Sequence, residues 1–265
     1  MKKINFLFLS LISLAFLFNA CKSSTTSPSN PTSGPGSSYF PNGDGTTYKY
    51  AVTKTDSSGN QSAGTRSTTY SGTTTLNGAV YQNEIDTISF GGFSIVTSSL
   101  FVKSNNSVNF AIDTSGLSAS IPSQYLQYIK LSSSITAFKF PLQQGNPWNA
   151  FNMTLSLSGL TDTLVNVTGT YIGMEQVPLT LSTGSTTMNA AKIQYIFKLQ
   201  IPNPSNPFQF DTRSYSAFAW MADNVGMIKM EGNGAILDAF TGGGINFADT
   251  TSTISQSLIS YNIAK

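Results

Sequence analysis

Ile193, Tyr195, Phe197, Leu199 and Ile201 fall on every second position, with Gln194, Lys198 and Gln200 between them. That period of two matches the pleat of a half-buried β-strand and no helix. Val108, Phe110 and Ile112 alternate in the same way, as do Met153, Leu155 and Leu157. Ile259, Tyr261 and Ile263 predict a closing strand with one apolar face. Turn signals separate the runs: Ser58-Gly59-Asn60, Asn77-Gly78, Gly232-Asn233-Gly234 and Gly242-Gly243-Gly244. From Tyr39 onward no long amphipathic helix can be drawn, and only residues 124–130 read as a short one. Pro202, Pro204 and Pro207 predict a long surface connection between the strands at Ile201 and Phe208.

The first 38 residues follow a different rule. Lys2 and Lys3 precede an uncharged apolar run over residues 4–18, and Asn19-Ala20-Cys21 follows. A basic start, a short apolar stretch and a small residue before the cut form an export leader. The run is too short for the ~20 residues of a membrane-spanning helix. Its apolar residues cover every helical face, which excludes an amphipathic surface helix. The tetrad Phe18-Asn19-Ala20-Cys21 resembles the lipobox of bacterial lipoproteins, with Phe18 in place of the usual Leu and Asn19 in place of the usual Ala or Ser. The resemblance implies cleavage before Cys21 and acylation of its sulfur. Cys21 is the sole cysteine, so it forms no internal disulfide, and lipidation gives it a role. Lys22 follows where an acidic residue would favour the inner membrane, which implies an outer-membrane address in a cell with two membranes. Apart from Lys22 and Asn30, residues 22–38 are Ser, Thr, Pro and Gly with little to bury, and predict a flexible tether.

Composition narrows the chemistry. Lys2 and Lys3 are two of 14 basic residues, so the chain from Cys21 carries twelve against 12 acidic ones. A neutral chain offers no basic stripe to a nucleic-acid backbone. There is no histidine. The commonest general base and zinc ligand are therefore missing, and with Cys21 acylated no thiolate is left. Ser-His-Asp, Cys-His and His-metal mechanisms are excluded, which leaves carboxylate pairs, a Ser-Lys pair or a tyrosine.

A loose internal repeat organises the remainder. Phe40-Pro41, Gly45 and Tyr48 have the same spacing as Phe140-Pro141, Gly145 and Trp148. Each block opens a half that closes with a strand pair: roughly 100–103 with 108–112, joined through Asn105-Asn106, and 215–220 with 225–231, joined through Ala222-Asp223-Asn224. This pattern suggests duplication of a sheet unit. Phe140-Pro141-Leu142-x-x-Gly145-x-x-Trp148, with Trp220-x-Ala222-x-x-Val225-Gly226-Met227-Ile228-Lys229, resembles a pattern in uncharacterised bacterial lipoproteins. Those resemble the curved half-barrels of lipoprotein carriers and related periplasmic proteins. The match covers mainly residues 138–231 and implies a curved antiparallel sheet around an apolar hollow.

Three groups of residues are candidates for chemistry. Glu84 and Asp86 are two apart, so on a strand they share a face; with Val80, Gln82 and Ile88 that face reads as a solvated side. Asn42-Gly43-Asp44-Gly45 looks like part of a calcium loop, but Phe40 and Ala51 stand at its first and twelfth ligand positions and cannot bind an ion. Gly45 reads better as a turn glycine, and no metal is expected. Trp148, Tyr171, Tyr195, Phe197 and Trp220 are the candidate lining of an apolar hollow, with Glu175 and Lys229 as its polar groups, although aromatic residues of a β domain are more often core.

The expectation is a leader over 1–20, lipidated Cys21 and a tether over 21–38, and a β domain over 39–265 with approximate halves 39–137 and 138–265. The fold is all-β, a curved and mostly antiparallel sheet. The function expected is that of a membrane-anchored, non-enzymatic lipoprotein binding an apolar or lipid-like ligand, with no cofactor and no nucleic-acid partner. The alternatives are a structural or adhesive surface protein and a carbohydrate-active enzyme working with carboxylates alone.

Overall fold

The computed structural model describes residues 34–112, 127–157, 160–203, 206–234 and 251–264. A 3-10 turn at Ser37–Tyr39 leads into thirteen strands: β1 (Thr47–Thr55), β2 (Gln61–Leu76), β3 (Ala79–Phe90), β4 (Phe93–Lys103), β5 (Ser107–Ala111), β6 (Ile129–Leu131), β7 (Ser134–Lys139), β8 (Pro147–Leu157), β9 (Leu160–Leu181), β10 (Gly184–Asn203), β11 (Asn206–Ala222), β12 (Gly226–Asn233) and β13 (Thr253–Asn262). They form one sheet in the order β6-β8-β9-β10-β11-β12-β13-β1-β2-β3-β4-β5-β7. All pairings of named strands are antiparallel. The expected all-β, curved antiparallel architecture is the one observed.

The alternation read from the sequence sets the faces. Ile193, Phe197 and Leu199 of β10 are buried, as are Val108 and Phe110 of β5 and Met153 of β8. An aromatic chain runs through the interior: Phe40 packs edge-on against Phe101 and Phe138 at 5.6 and 5.4 Å, and Tyr70 against Phe101 at 5.3 Å. Such edge-to-face pairs suit the ring quadrupole and add to the gain from burial.

The sheet curls until its ends stand side by side without a shared ladder. Two side chains bridge the seam. Trp148 Nε1 on β8 donates to the Thr136 carbonyl of β7 at 3.0 Å, and the Tyr195 hydroxyl on β10 donates to the Ala137 carbonyl at 2.8 Å. They satisfy strand-edge carbonyls that would otherwise need a further strand or water.

The two turns matched by the repeat have the same geometry. Gly45 and Gly145 both have positive φ, 83° and 74°, a region open to glycine at little cost. Gly45 N–H donates to Tyr70 O and Gly145 N–H to Tyr171 O, each at 2.9 Å. Thr46 N–H reaches Gly43 O and Asn146 N–H reaches Gln143 O, each at 3.1 Å. The residue before each glycine then ties the turn to the neighbouring hairpin: Asp44 Oδ1 accepts from Gly72 N–H, and Gln144 Nε2 donates to Ile172 O, both at 2.6 Å.

Several local expectations are corrected. Of the expected short helix, residues 127–128 form a turn and 129–130 belong to β6, which pairs with Leu155 to Met153 on β8; residues 124–126 lie outside the described ones. Gly232-Asn233 lies in β12 rather than in a turn, because Gly232 lets the strand close on Ala217 of β11. Gly242-Gly243-Gly244 lies outside the described residues. β10 runs to Asn203 and β11 begins at Asn206, so the proline-bearing connection is short. In β13 the buried side chains are Ile254, Gln256 and Leu258, not Ile259, Tyr261 and Ile263. The register with β1 breaks there: Tyr50 pairs with Leu258 and Lys49 with Ser260, so Ile259 is an extra residue and the alternation changes face.

Candidate functional site

The polar centre of the molecule lies on the inner face of β13, β1, β2 and β3. Arg66 of β2 sits one pleat from Thr68 and two from Tyr70, and all three are buried. On β3, Asp86 pairs with Thr68 and Glu84 with Tyr70. The Arg66 guanidinium donates to Asp86 through two parallel bonds, Nε to Oδ1 at 2.7 Å and Nη2 to Oδ2 at 2.9 Å. This fork gives the strongest common pairing of a cation with a carboxylate. Nη2 lies 3.5 Å from Glu84 Oε1, and Nη1 donates to Gln256 Oε1 of β13 at 3.3 Å. Thr68 Oγ1 donates to Asp86 Oδ1 at 2.5 Å, and the Tyr50 ring lies 5.8 Å from the guanidinium carbon. One arginine thereby ties β2 to β3 and, across β1, to β13.

The expected solvated face is therefore wrong for Glu84 and Asp86. Both are 0% exposed and Ile88 is buried beside them, while Val80 further along β3 is exposed. Burial pushes the Glu84 carboxyl well above the ordinary carboxylate range; the negative charge of Asp86 adds to this, and Arg66 opposes it. Burial alone would lower the Arg66 pKa, but Asp86, by its charge and its hydrogen bond, reverses that and the pKa is raised. Asp86 thus holds Arg66 as a cation, and burial favours the protonated form of Glu84. A glycosidase pair needs both carboxyls open to a sugar. Here one is held by a guanidinium and neither meets solvent.

The expected aromatic lining is divided between two faces. Trp148, Tyr171, Tyr195 and Phe197 share the inner face; Trp148, Tyr171 and Phe197 are buried and Tyr195 partly so. Trp148 and Tyr195 meet edge-on at 6.2 Å, above Gly169. Laid on one another by their turns, the two halves contrast at one row: Tyr48, Thr68 and Asp86 in the first stand where Trp148, Gly169 and Tyr195 stand in the second.

Trp220 is on the opposite face, paired with Lys192 and Lys229. Their ammonium groups lie 4.9 and 4.4 Å from its ring. Lys192 pairs with Glu175 at 2.9 Å and Lys229 with Glu231 at 2.6 Å. The hydrogen bond from Lys192 holds the Glu175 carboxyl below its ordinary range. Glu175 and Lys229, expected as isolated polar groups, thus come together around Trp220, which is itself buried. They form a covered cation–π layer and no open stacking platform.

One pocket of about 470 Å³ lies at the β3–β4 hairpin, bounded by Gly64, Phe90, Gly91, Gly92 and Phe93. Another, of about 260 Å³, opens at the β7–β8 seam between Lys139, Phe140, Pro141, Asn146, Pro147 and Trp148. Of the five aromatic candidates only Trp148 lines either of these two. The sequence reading missed Arg66, Thr68 and Gln256. The available signal was Arg66-x-Thr68-x-Tyr70 opposite Glu84-x-Asp86-x-Ile88, in which charged and large apolar residues share a face. Cys21 lies outside the described residues, and so do the leader and residues 22–33 of the tether.

No protein-family model matches the chain, and no curated protein matches it. Among solved structures, a protein of Bacteroides fragilis described as exported and as having a YmcC-like fold is 12% identical, with a TM-score of 0.44 over 87% of this chain and 98% of that one. A protein of Parabacteroides distasonis described as a lipoprotein is 13% identical, with a TM-score of 0.44 over 84% of this chain and 98% of its own. The hypothetical lipoprotein YmcC of Escherichia coli is 10% identical, with a TM-score of 0.30 over 80% and 84% of the two chains.

Proposed function

We propose that the chain is a cell-envelope lipoprotein, held on a membrane by acylated Cys21, whose β domain works by binding and presentation rather than by catalysis. The observation that carries this reading is the single cysteine at the end of an apolar leader, in a chain without histidine. The state of the inner carboxylate pair supports the non-catalytic part: Asp86 is engaged by Arg66 through two hydrogen bonds, and Glu84 is buried beside it. Lys22 supports an outer-membrane address. Replacing Cys21 by Ser tests the anchor. The variant is expected in the soluble fraction of lysed host cells, and a variant that stays with membranes overturns the reading.

The seam pocket favours a more specific form of the same function. Phe140, Pro141, Pro147 and Trp148 line it together with Lys139, Gln143 and Asn146, and its exposed wall is more polar than apolar. Its size and polar wall suit a small polar group better than an acyl chain. Native mass spectrometry of the protein purified from its host is expected to show a small co-purifying adduct that is lost when Trp148 is replaced by Ala. A bare mass under gentle ionisation contradicts the ligand and favours presentation of a surface.

A further inference from the structure

The β2–β3 hairpin reaches past its neighbours β1 and β4 at the end where residues 35–38 join the domain. β1 follows β2 only as far as the pair Thr47–Thr69, and β4 follows β3 only as far as Gln82–Phe101, whereas β2 and β3 continue together to Leu76–Ala79. Beyond both neighbours the finger runs from the pair Thr73–Gln82 to the turn, about 13 Å at the usual rise per strand residue. Its root is fixed. Gly72 N–H donates to Asp44 at 2.6 Å, Asn83 Nδ2 to Ser71 O at 3.0 Å and Thr74 Oγ1 to Asn83 Oδ1 at 2.8 Å. Its tip is an Asn77-Gly78 turn with both φ angles positive, 51° and 80°.

The composition of the finger is unusual for a solvent-exposed element. No charged residue occurs from Ser67 to Asn83. Every residue from Ser71 to Val80 is exposed, and the tip shows Leu76 at 39% and Val80 at 62%. A bare two-stranded hairpin is marginal in water, and exposed edges are normally protected by charges. This one has neither a third strand nor a charge.

The chain enters the domain at the same end. Pro35 O accepts from Leu142 N–H at 2.9 Å and Ser38 O from Asn224 N–H at 3.0 Å, which places residues 35–38 beside the turns that precede β8 and β12. From Cys21 to Gly34 is thirteen residue steps, a span of at most about 45 Å. A membrane holding Cys21 is thus within reach of the finger tip on the same end of the domain.

We propose that the β2–β3 finger rests its tip in the lipid surface that holds Cys21, with Leu76, Ala79 and Val80 at the boundary between headgroups and acyl chains. This rests on the lipid-anchor reading above. The acylated cysteine supplies the affinity, and the finger supplies orientation: the apolar area at the tip is too small to bind a membrane alone, while two linked contacts fix the direction of the domain. An uncharged finger also predicts indifference to lipid charge.

The test uses the full lipidated chain with Val80→Cys, labelled with an environment-sensitive fluorophore and reconstituted into phosphatidylcholine vesicles carrying a lipid-borne quencher. The control is Ser57→Cys, on the exposed β1–β2 hairpin at the other end of the sheet. With the protein shown to float with the vesicles, quenching at position 80 is expected to exceed that at position 57 several-fold, and to be unchanged by anionic lipid. Equal quenching at both positions, or none at position 80 of a floating protein, overturns the finger contact and leaves the anchor standing. A protein that does not float overturns the anchor, and the finger contact with it.

Discussion

Arg66 and Asp86, on neighbouring strands of one sheet, meet through two hydrogen bonds of 2.7 and 2.9 Å with neither side chain more than 2% exposed. A paired buried charge is tolerable, and an unpaired one is costly. Asp86→Ala leaves the guanidinium without its main partner and is expected to cost about 3–5 kcal/mol of unfolding free energy in a denaturant titration. Replacing Arg66, Glu84 and Asp86 together by Met, Leu and Leu should recover most of that loss. A triple variant as unstable as Asp86→Ala contradicts the account of the cluster.

Glu84 links this cluster to pH. Its folded-state pKa is raised, so the folded chain holds a proton that the unfolded chain releases near the ordinary carboxylate value. That contribution is complete below the unfolded pKa and is lost as pH rises through the folded one. Stability should therefore fall as pH is raised above about 4.5, the ordinary value. Glu84→Gln should flatten that slope, and melting curves of the two proteins across the range check it. Identical pH profiles would contradict a protonated Glu84.

The seam between β7 and β8 depends on Trp148 and Tyr195. Tyr195→Phe keeps the ring and removes the hydroxyl bonded to Ala137, and is expected to cost about 1–2 kcal/mol. Amide exchange should rise in β7 and β5 more than in β1 and β2. Uniform loss of protection would mean that the hydroxyl does not act as a local latch.

Gly169 is fixed by the ring above it. A Cβ there would overlap the Trp148 indole, so Gly169→Ala is expected to destabilise by about 1–3 kcal/mol through overpacking. Adding Trp148→Phe should relieve part of the clash, and a double-mutant cycle measures the coupling. Additive effects would place the strain elsewhere.

Much of the architecture was legible in the residues. The strands at 193–199, 108–111 and 153–155 follow alternation that one buried face imposes. The Gly45 and Gly145 turns follow from a glycine before an aromatic strand. Features that depend on distant chain were hidden. Ile259 as a bulge is visible only against β1, since the extra residue is defined by the partner's register. Glu84 and Asp86 look like solvent groups until Arg66, eighteen and twenty residues away, is placed opposite them. Trp220 resembles a ligand platform until Lys192 and Lys229 cover it from the strands on either side.

The central claim is that Cys21 carries the protein on a membrane. Intact-mass analysis of the chain extracted from host membranes tests it most directly. The predicted mass begins at Cys21 and exceeds the bare polypeptide by a diacylglyceryl group, with or without a further acyl chain. A mass that begins at Met1, or a mature chain whose cysteine still reacts as a free thiol, contradicts it.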